Sequence, residues 1–432
     1  DVTALDLETG KTAGAFFAAA ATEDEIIPQL GVLSGEIVEK LFGVKTAART
    51  TPAAPAVAPP APYPPAGAAS PLPAPAAAPA LVSPAAAALQ DPGKPWIPTS
   101  LNKISESGKI ADELHGIVSG DSDSEGNSEV IAYGKKGIYL YRVSGTAILP
   151  KIRITEGLPT HILNIEAVDL DKDGAKEILA TGIDGDNLRS SVWKKKGEVY
   201  EKIADRVPYY LVLLPDWRGK KVVAGQEAGS DTPFHGKLYE MSWDGKTLKA
   251  RNPLPADTLR APLSTGIFGL SSAKFGEEWN WVYTDENDHL RILDAAGTTA
   301  FKSSAKYGWS GDYFEWGIHV PRTGKTRYNI RKAARISVRA DGVPLILVPM
   351  EEEGLLNLGS SSKTTRLVLL RWEGGEFVES AGTTKGDRAY SGADFLSPNG
   401  LRIGGKVVAS VIDQPDGVLK GGVSRLLLFE VK

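Results

Sequence analysis

The chain of 432 residues contains no cysteine. A disulfide framework, a thiolate metal site and a cysteine nucleophile are therefore excluded. No apolar run approaches the ~18 residues that a membrane-spanning helix requires. An excess of one charge is also lacking, because 49 basic residues stand against 53 acidic ones. A near-neutral chain has no overall field to attract nucleic acid or an anionic membrane, so we expect no nucleic-acid partner and no transmembrane span.

Recognisable catalytic motifs are also missing from the sequence. There is no Gly-x-Ser-x-Gly nucleophile elbow, and residues 324–326 (Gly-Lys-Thr) lack the upstream glycine of a phosphate-binding loop. The histidines are scattered and form no His-x-x-x-His pair for zinc. They are His115, His161, His235, His289 and His319. We therefore expect a protein that is not an enzyme, although a site assembled from distant segments would not show in one sequence.

Composition divides the chain into three regions. Residues 1–44 carry two strand patterns that turn at Gly10 and a helical pattern over residues 22–43. A hairpin and one helix bury too little surface to fold alone, so we interpret them as the α/β fragment of a truncated domain whose beginning is missing. Residues 45–94 are rich in alanine and proline, which is typical of a disordered, semi-extended linker. Residues 95–432 are rich in β-strand patterns.

An acidic loop occurs twice in the third region. Both copies place carboxylates at loop positions 1, 3, 5 and 9, and an apolar run that predicts a buried strand follows each copy. The two sets are Asp121, Asp123, Glu125 and Glu129, and, 48 residues later, Asp169, Asp171, Asp173 and Glu177. A repeat of this length, with strands and a turn loop, is typical of a β-propeller blade.

The spacing of the carboxylates favours a bound cation. Alternate oxygen ligands around a tight glycine turn suit a hard ion, and we expect Ca²⁺. The carboxylates also repel one another, so the arrangement is costly without a cation. Extracellular modules of this kind bind calcium weakly, at roughly 10⁻⁴–10⁻³ M, so the ion is expected to stabilise the loop and not to drive catalysis.

Strand–turn–strand units follow one another through residues 95–432 and predict an all-β fold, a β-propeller of four-stranded blades. We expect six blades, at about 114–150, 161–206, 209–252, 264–306, 334–381 and 389–432. Seven blades are possible if residues 304–334 contain a degenerate one. The last blade lacks a fourth strand, and an open apolar edge invites aggregation. We predict that the segment from Trp96 to Ile104 supplies this strand and closes the ring.

Residues 304–334 interrupt the regular succession of strand–turn–strand units. They carry aromatic residues followed by basic ones, which is the composition of a binding hot spot. The predicted partner-binding residues are Trp309, Tyr313, Phe314, Trp316, Arg327 and Arg331. The alternative is that the aromatic residues plug the channel or cover a blade while the basic residues are merely solvated.

The Asp-x-Asp-x-Asp-Gly-x-x-Glu-Ile pattern of residues 169–178, set among such blades, resembles the FG-GAP/VCBS repeats of integrin-α-like propellers. The equivalent loops of the last four blades lack the acidic residues, and no intact Phe-Gly…Gly-Ala-Pro signature is present. In that family the loops hold calcium in an architectural role, and many members bind proteins or glycans. The resemblance implies two sets of calcium ligands. The first set is Asp169, Asp171, Asp173, the Ala175 carbonyl and Glu177. The second set is Asp121, Asp123, Glu125, the Asn127 carbonyl and Glu129.

Residues 1–94 are similar to part of bacterial cell-envelope proteins that join a TolB-N-like or curli-secretion-type α/β domain to such a propeller. This resemblance implies an exported protein in the periplasm, at the outer membrane or on the cell surface. We therefore predict a calcium-binding, non-enzymatic propeller that binds a protein or a glycan at the envelope. The alternatives are a propeller hydrolase or lyase that acts on a polysaccharide or ester at the channel mouth, and a purely structural spacer.

Overall fold

The computed structural model describes only part of the chain. The described residues are 2–5, 12–16, 99–122, 127–214, 221–229, 232–234, 237–254, 266–294, 296–308, 312–320, 324–339, 342–353, 363–386, 388–396, 401, 404–414 and 422–432. The predicted helix at 22–43, the predicted linker at 45–94, and Asp123, Glu125 and Trp309 lie outside these ranges. Within the ranges, no helix has the length and hydropathy needed to cross a bilayer.

The chain divides into two compact units, Asp1–Pro75 and Ala76–Lys432. In the first unit, the described residues form strands β1 (Val2–Leu5) and β2 (Thr12–Phe16). They pair antiparallel from Val2↔Phe16 to Leu5↔Thr12, which is the hairpin that the sequence predicts around Gly10.

The described residues of the second unit begin with β3 (Thr99–Glu106) and continue as six antiparallel blades and one two-stranded hairpin. Blade 1 consists of β4 (Leu114–Ser122), β5 (Ser128–Gly134), β6 (Ile138–Ser144) and β7 (Ala147–Ile154). Blade 2 consists of β8 (His161–Val168), β9 (Glu177–Asp184), the short β10 (Asn187–Leu188), β11 (Ser190–Lys196) and β12 (Val199–Val207). Blade 3 consists of β13 (Tyr210–Leu214), β14 (Val222–Gln226), β15 (Leu238–Trp243) and β16 (Leu248–Pro253).

A 3-10 turn at Ile267–Gly269 leads into the second half of the ring. Blade 4 consists of β17 (Leu270–Phe275), β18 (Glu278–Thr284), β19 (His289–Leu293) and β20 (Thr299–Lys306). A hairpin of β21 (Asp312–Val320) and β22 (Gly324–Ile330) follows. Blade 5 consists of β23 (Arg335–Val338), β24 (Pro344–Glu353), β25 (Lys363–Glu373) and β26 (Glu376–Gly382). Blade 6 contains β27 (Ala389–Phe395), β28 (Lys406–Gln414) and β29 (Val423–Val431).

Strand β3 completes blade 6. It pairs antiparallel with β29, from Leu427↔Glu106 to Val431↔Leu101. A short parallel contact of β3 with β26, at Ala381↔Thr99, joins blades 5 and 6 into one eight-stranded sheet. The prediction that the segment from Trp96 to Ile104 supplies the missing strand is confirmed, with a strand that begins three residues after Trp96 and ends two residues after Ile104.

Apolar side chains fill the space between every pair of neighbouring blades. Between blades 6 and 1, for example, Leu114, Val130, Val408 and Leu428 are all buried in one cluster. Equivalent clusters lie between the other neighbours. The inner strands contact one another in the order β4, β8, β13, β17, β23, β27 and back to β4. The described residues of the second unit therefore form a closed ring of six blades, as the sequence predicts.

Glycine permits the closest approach of inner strands at the seam between blades 6 and 1. A Cβ atom added to Gly392 of β27 would lie 2.8 Å from the backbone nitrogen of Ile117 and 2.9 Å from Cα of Gly116, both on β4. These distances are shorter than carbon atoms tolerate, so a side chain here would push the two blades apart.

In the described part of residues 304–334, strands β21 and β22 form a two-stranded hairpin and not a four-stranded seventh blade. Burial alternates along β21, where Asp312, Phe314 and Trp316 are buried and Tyr313 and Glu315 are exposed. The period of two means that one face of the hairpin packs inward while the other faces solvent. The buried aromatic residues join a cluster formed by blades 2, 3 and 4. The interpretation of Phe314 and Trp316 as surface anchors is therefore wrong, and the alternative that they cover the blades is correct.

Candidate functional site

The acidic loop of blade 2 joins β8 to β9. Lys172 and Gly174 have positive φ angles of 64° and 92°, which turn the chain tightly between the carboxylates. The carboxylate of Asp169 accepts hydrogen bonds from the N–H groups of Asp173 and Gly174, both at 3.1 Å. Carboxylate oxygens of Asp169, Asp171 and Glu177 lie within 4.8 Å of one another. The loop therefore brings the oxygen atoms of three of its carboxylates around one point.

Lys194 on β11 supplies a positive charge at that point. Its ammonium Nζ donates to Oδ2 of Asp171 at 2.5 Å and to Oδ2 of Asp173 at 2.6 Å, and it lies 3.3 Å from Oε1 of Glu177. The hydrogen bond from Lys194 lowers the pKa of Asp173, whereas burial raises the pKa of Glu177. Repulsion among the carboxylates is thus relieved by a side chain of the protein, a contact that the sequence does not predict.

The ligand set fits a hard cation. Carboxylates and a backbone carbonyl are the oxygen ligands that calcium prefers. Oε1 of Glu177 is buried and lies 3.3 Å from the Lys194 ammonium, so a cation that took the place of the ammonium could bind this oxygen. Asp169, Asp171, Asp173, Glu177 and the Ala175 carbonyl would hold the ion, which would take the place of the Lys194 ammonium.

The acidic loop of blade 1 is described in part and contacts blade 2. Oδ2 of Asp121 accepts a hydrogen bond from the backbone N–H of Lys176 at 3.1 Å, and Nζ of Lys176 donates to the Gly120 carbonyl at 2.6 Å. Oε2 of Glu129 accepts from the Tyr200 hydroxyl at 3.3 Å, and burial raises the pKa of Glu129. Asn127 is buried. Two predicted ligands of this loop therefore bond to the neighbouring blade, and the two loops lie side by side.

The exposed face of the β21–β22 hairpin carries two of the predicted partner-binding residues. Tyr313 is 41% exposed, although most large apolar side chains of the described residues are buried. The guanidinium carbon of Arg327 lies 3.4 Å from the centre of the Tyr313 ring, which is a close cation–π contact. Among the predicted partner-binding residues that the structure describes, this pair lies on the exposed face.

Arg331 and Lys325 attach the hairpin to the ring. Nη1 of Arg331 lies 2.9 Å from Oδ1 of Asp288, and Nη2 donates to the Glu286 carbonyl at 2.8 Å, both on blade 4. Nζ of Lys325 donates to Oδ2 of Asp186 on blade 2 at 2.7 Å. Ion pairs with blade 4 and blade 2 therefore hold the exposed face of the hairpin in a defined position. Arg331, a predicted partner-binding residue, forms the ion pair with blade 4.

A second cluster of ionisable residues, which sequence reasoning missed, lies beneath the hairpin. Nδ1 of His115 on β4 lies 3.1 Å from Oδ2 of Asp312, and Nε2 of His161 on β8 lies 3.2 Å from Oδ1 of the same carboxylate. Burial opposes the charge on Asp312, but the two histidines outweigh this effect and hold its pKa well below its usual range. His115 lies in an irregularity of the β4–β5 register between Leu114 and Gly116, and such a bulge re-aims a side chain.

A small cavity lies among the inner strands. Its lining includes Tyr133, Glu166, Lys332 and Arg335. It offers about 20 Å³ to the centres of water molecules, which is room for about one or two waters. Nζ of Lys332 donates to the Ser391 carbonyl at 3.3 Å, and burial lowers the pKa of Lys332 to about 8. Nη1 of Arg335 lies 3.9 Å from Oε2 of Glu166, whose pKa burial raises.

The cluster of His115, His161 and Asp312, here called the channel cluster, had one signal in the sequence. His115 and His161 stand 46 residues apart, close to the 48-residue spacing of the acidic loops. Two histidines at nearly equivalent positions of adjacent blades are expected to lie near each other in a propeller. Their rings have centroids 5.6 Å apart. Asp312 gave no such signal, because it lies on the hairpin outside the repeat.

No protein-family model matches the chain, and no curated protein matches it. The β-propeller fold rests on the structure described above. Membership of the FG-GAP/VCBS family, calcium binding and location at the envelope stay predictions.

Proposed function

We propose that this protein is a non-enzymatic recognition propeller of the FG-GAP/VCBS type, exported to the bacterial cell envelope, where it binds a protein or glycan partner. The observation that carries the proposal is the exposed Tyr313–Arg327 pair on a hairpin that is anchored to two different blades. Tyrosine and arginine dominate binding hot spots because they combine apolar area with polar groups. A pre-positioned pair also loses little conformational entropy when a partner binds.

The described interior of the ring bears on the choice between recognition and turnover of a large substrate. The inner face of the hairpin covers blades 2 to 4 with buried aromatic residues. The cavity among the inner strands has room for about one or two waters. A sugar ring does not fit in such a space, so this cavity is not the binding site of a polysaccharide.

The test is partner capture from an envelope extract and from an immobilised panel of envelope glycans. Tyr313→Ala and Arg327→Ala are expected to reduce capture by about 30-fold or more, the effect of a hot-spot residue. Val199→Ala, which truncates an exposed residue of β12 on blade 2, is the matched control and is expected to leave capture unchanged. Unchanged capture by both hairpin variants would show that the binding surface lies elsewhere.

Calcium in the acidic loop of blade 2 is a separate part of this proposal. Bound calcium would stabilise the folded state, because the unfolded loop does not gather the ligands. We expect the thermal midpoint of the wild type to fall in chelator and the midpoint of Asp171→Ala to be insensitive to chelator. If neither protein responds to calcium or chelator, the loop is not a calcium site.

The channel cluster favours a second candidate function, a propeller hydrolase that acts on an ester or polysaccharide. His115, His161 and Asp312 bring a carboxylate and two imidazoles together, and such groups can transfer protons in hydrolysis. Steady hydrolysis of a p-nitrophenyl ester or a soluble polysaccharide, lost in His161→Gln, would replace the recognition proposal. We expect no turnover.

A further inference from the structure

We propose that His115, His161 and Asp312 form a binding site for a divalent transition metal ion, with Zn²⁺ as the ion that fits best. The site goes beyond the proposed recognition function and is separate from the acidic loops. It joins the first two inner strands to the hairpin, since His115 lies on β4, His161 on β8 and Asp312 on β21.

The donor set decides the class of ion. Two imidazoles and one carboxylate are ligands for zinc and for first-row transition metals, whereas calcium and magnesium prefer oxygen alone. The acidic loop of blade 2 offers only oxygen atoms. The two sites are therefore expected to select different ions from the same solution.

The distances agree with a shared ion. The ligand atoms of a tetrahedral zinc ion lie at about 2.0–2.2 Å from the metal, which places neighbouring ligand atoms roughly 3.3–3.6 Å from each other. The observed separations from Asp312 are 3.1 Å to Nδ1 of His115 and 3.2 Å to Nε2 of His161. Ligand atoms of all three residues lie within 4.8 Å of one another. One ion can therefore contact all three residues with only small side-chain adjustments.

Unsatisfied polar atoms point to a missing bond at this place. Nδ1 of His115 and Oδ2 of Asp312 are buried and form no hydrogen bond, although they lie 3.1 Å apart. Buried polar atoms in native proteins nearly always have a partner, and a metal ion between them would satisfy both.

The ion would have an access route and an open coordination position. The side chain of His161 is 28% exposed, whereas those of His115 and Asp312 are almost fully buried. Among the described residues, no fourth histidine or carboxylate joins the group. Three protein ligands leave a position for water, which is the arrangement of open zinc sites.

The experiment uses the full chain, freed of metal by chelation and then supplied with excess Ca²⁺. We expect one Co²⁺ per chain with the visible absorption of tetrahedral cobalt, displaced by Zn²⁺ and not by Ca²⁺. Loss of even an outer contact to a metal ligand costs about 10–100-fold in affinity, so loss of a ligand in His161→Gln or Asp312→Asn should cost about 100-fold or more. His289→Gln, a histidine on β19 outside the cluster, is the matched control and should bind normally.

Folding and binding can be separated, because His161 lies partly exposed at the start of its strand. His161→Gln is expected to keep the wild-type circular dichroism and to lose only the zinc-dependent rise of the thermal midpoint. Absence of stoichiometric Co²⁺ uptake by the wild type would overturn the proposal, and so would unchanged uptake by His161→Gln. In either case the cluster would be a set of direct contacts between Asp312 and the two histidines, without an ion.

Discussion

Lys194 is the residue on which the chemistry of the acidic loop depends. Its ammonium group contacts Asp171 and Asp173, and it lies near Glu177, which is almost completely buried. A calcium ion and this ammonium would compete for the same carboxylate oxygens. The lysine therefore either replaces the ion as a permanent counter-charge or leaves the loop when calcium binds.

The variant Lys194→Met distinguishes these roles. In chelator, it is expected to be less stable than the wild type, because removal of the ammonium leaves a buried carboxylate beside two others. Calcium at millimolar concentration should restore the stability and should stabilise this variant more than the wild type. Urea denaturation with and without calcium measures both effects. Lys196→Met, an exposed lysine of the same strand, is the control with little expected change. If calcium does not restore the stability of Lys194→Met, the carboxylates of the loop bind the lysine and do not bind calcium.

The ion pair between Arg189 and Asp205 on blade 2 is expected to weaken at acidic pH. Its Nε and Nη2 donate to Oδ1 and Oδ2 of Asp205 at 3.0 and 2.9 Å, and Nη1 donates to Oδ2 of Asp184 at 2.7 Å. The hydrogen bond from Arg189 holds the pKa of Asp205 well below its usual range. A carboxyl group with a lowered folded pKa contributes stability above its ordinary pKa, and this contribution is lost as the pH falls toward the folded value.

Asp205→Asn should therefore cost about 1 kcal/mol at pH 7, as a partly exposed ion pair does. The difference from the wild type should shrink progressively below pH about 4, where the aspartate of the unfolded chain becomes protonated. Urea denaturation at several pH values measures the difference. Glu201→Gln, in an exposed pair with Lys196, is expected to change stability by less than about 0.5 kcal/mol at either pH. A cost for Asp205→Asn that does not depend on pH would contradict the ionic origin of the contact.

At the scale of single residues, the sequence predicts the loop carboxylates but not their counter-charge. Asp169, Asp171 and Glu177 follow a spacing that can be read directly. Lys194 lies 23 residues after Asp171, and its position depends on the register of β11 against β9, where Trp193 faces Ile178. No local sequence pattern predicts the register of β11 against β9.

At the scale of elements, the β21–β22 hairpin is a ribbon with one face for packing and one for solvent. Phe314 packs against Phe234, with ring centroids 5.8 Å apart, and is stacked on Tyr328 at 5.9 Å. The sequence contains this alternation, since Asp312, Phe314 and Trp316 share one face of a strand. Composition alone suggested a hot spot of all the aromatic residues, and the period of two would have separated Tyr313 from the buried pair.

The buried and exposed faces of the hairpin predict different losses of stability when a residue is replaced by alanine. Phe314→Ala should destabilise the protein by about 3–5 kcal/mol, because it empties a buried ring position. Tyr313→Ala should cost less than about 1 kcal/mol, since the residue is 41% exposed and its ring lies against the Arg327 guanidinium in a cation–π contact. Thermal and urea denaturation of the two variants provide the comparison. Equal costs would mean that the hairpin does not pack by one face.

At the scale of the whole molecule, the number and order of the blades follow from the sequence. Every blade predicted between residues 114 and 432 is present, because its strand alternation and Gly turns are local signals. The channel cluster does not follow, since closure of the ring brings Asp312 beside His161, 151 residues away in the chain. A sequence repeat determines which strands pair within a blade, whereas residues that meet across the channel depend on the geometry of the closed ring.

Ring closure by β3 predicts that the blades unfold together. Leu101 of β3 is 3% exposed and packs in the cluster between blades 5 and 6. Leu101→Ala should cost about 2–5 kcal/mol, the usual effect of truncating a buried leucine. Because each blade is stabilised by both neighbours, the loss should appear around the whole ring and not in blades 5 and 6 alone.

Hydrogen exchange measured by mass spectrometry tests this coupling in the full chain. Peptides that cover β9 of blade 2 and β25 of blade 5 should lose similar amounts of protection in Leu101→Ala, because their slowest amides exchange only through global unfolding. Leu149→Ala, at a leucine of β7 that is 49% exposed, is the matched control and should leave both peptides unchanged. Loss of protection in blades 5 and 6 alone would contradict cooperative closure, because it would show that the other blades remain folded when the seam opens.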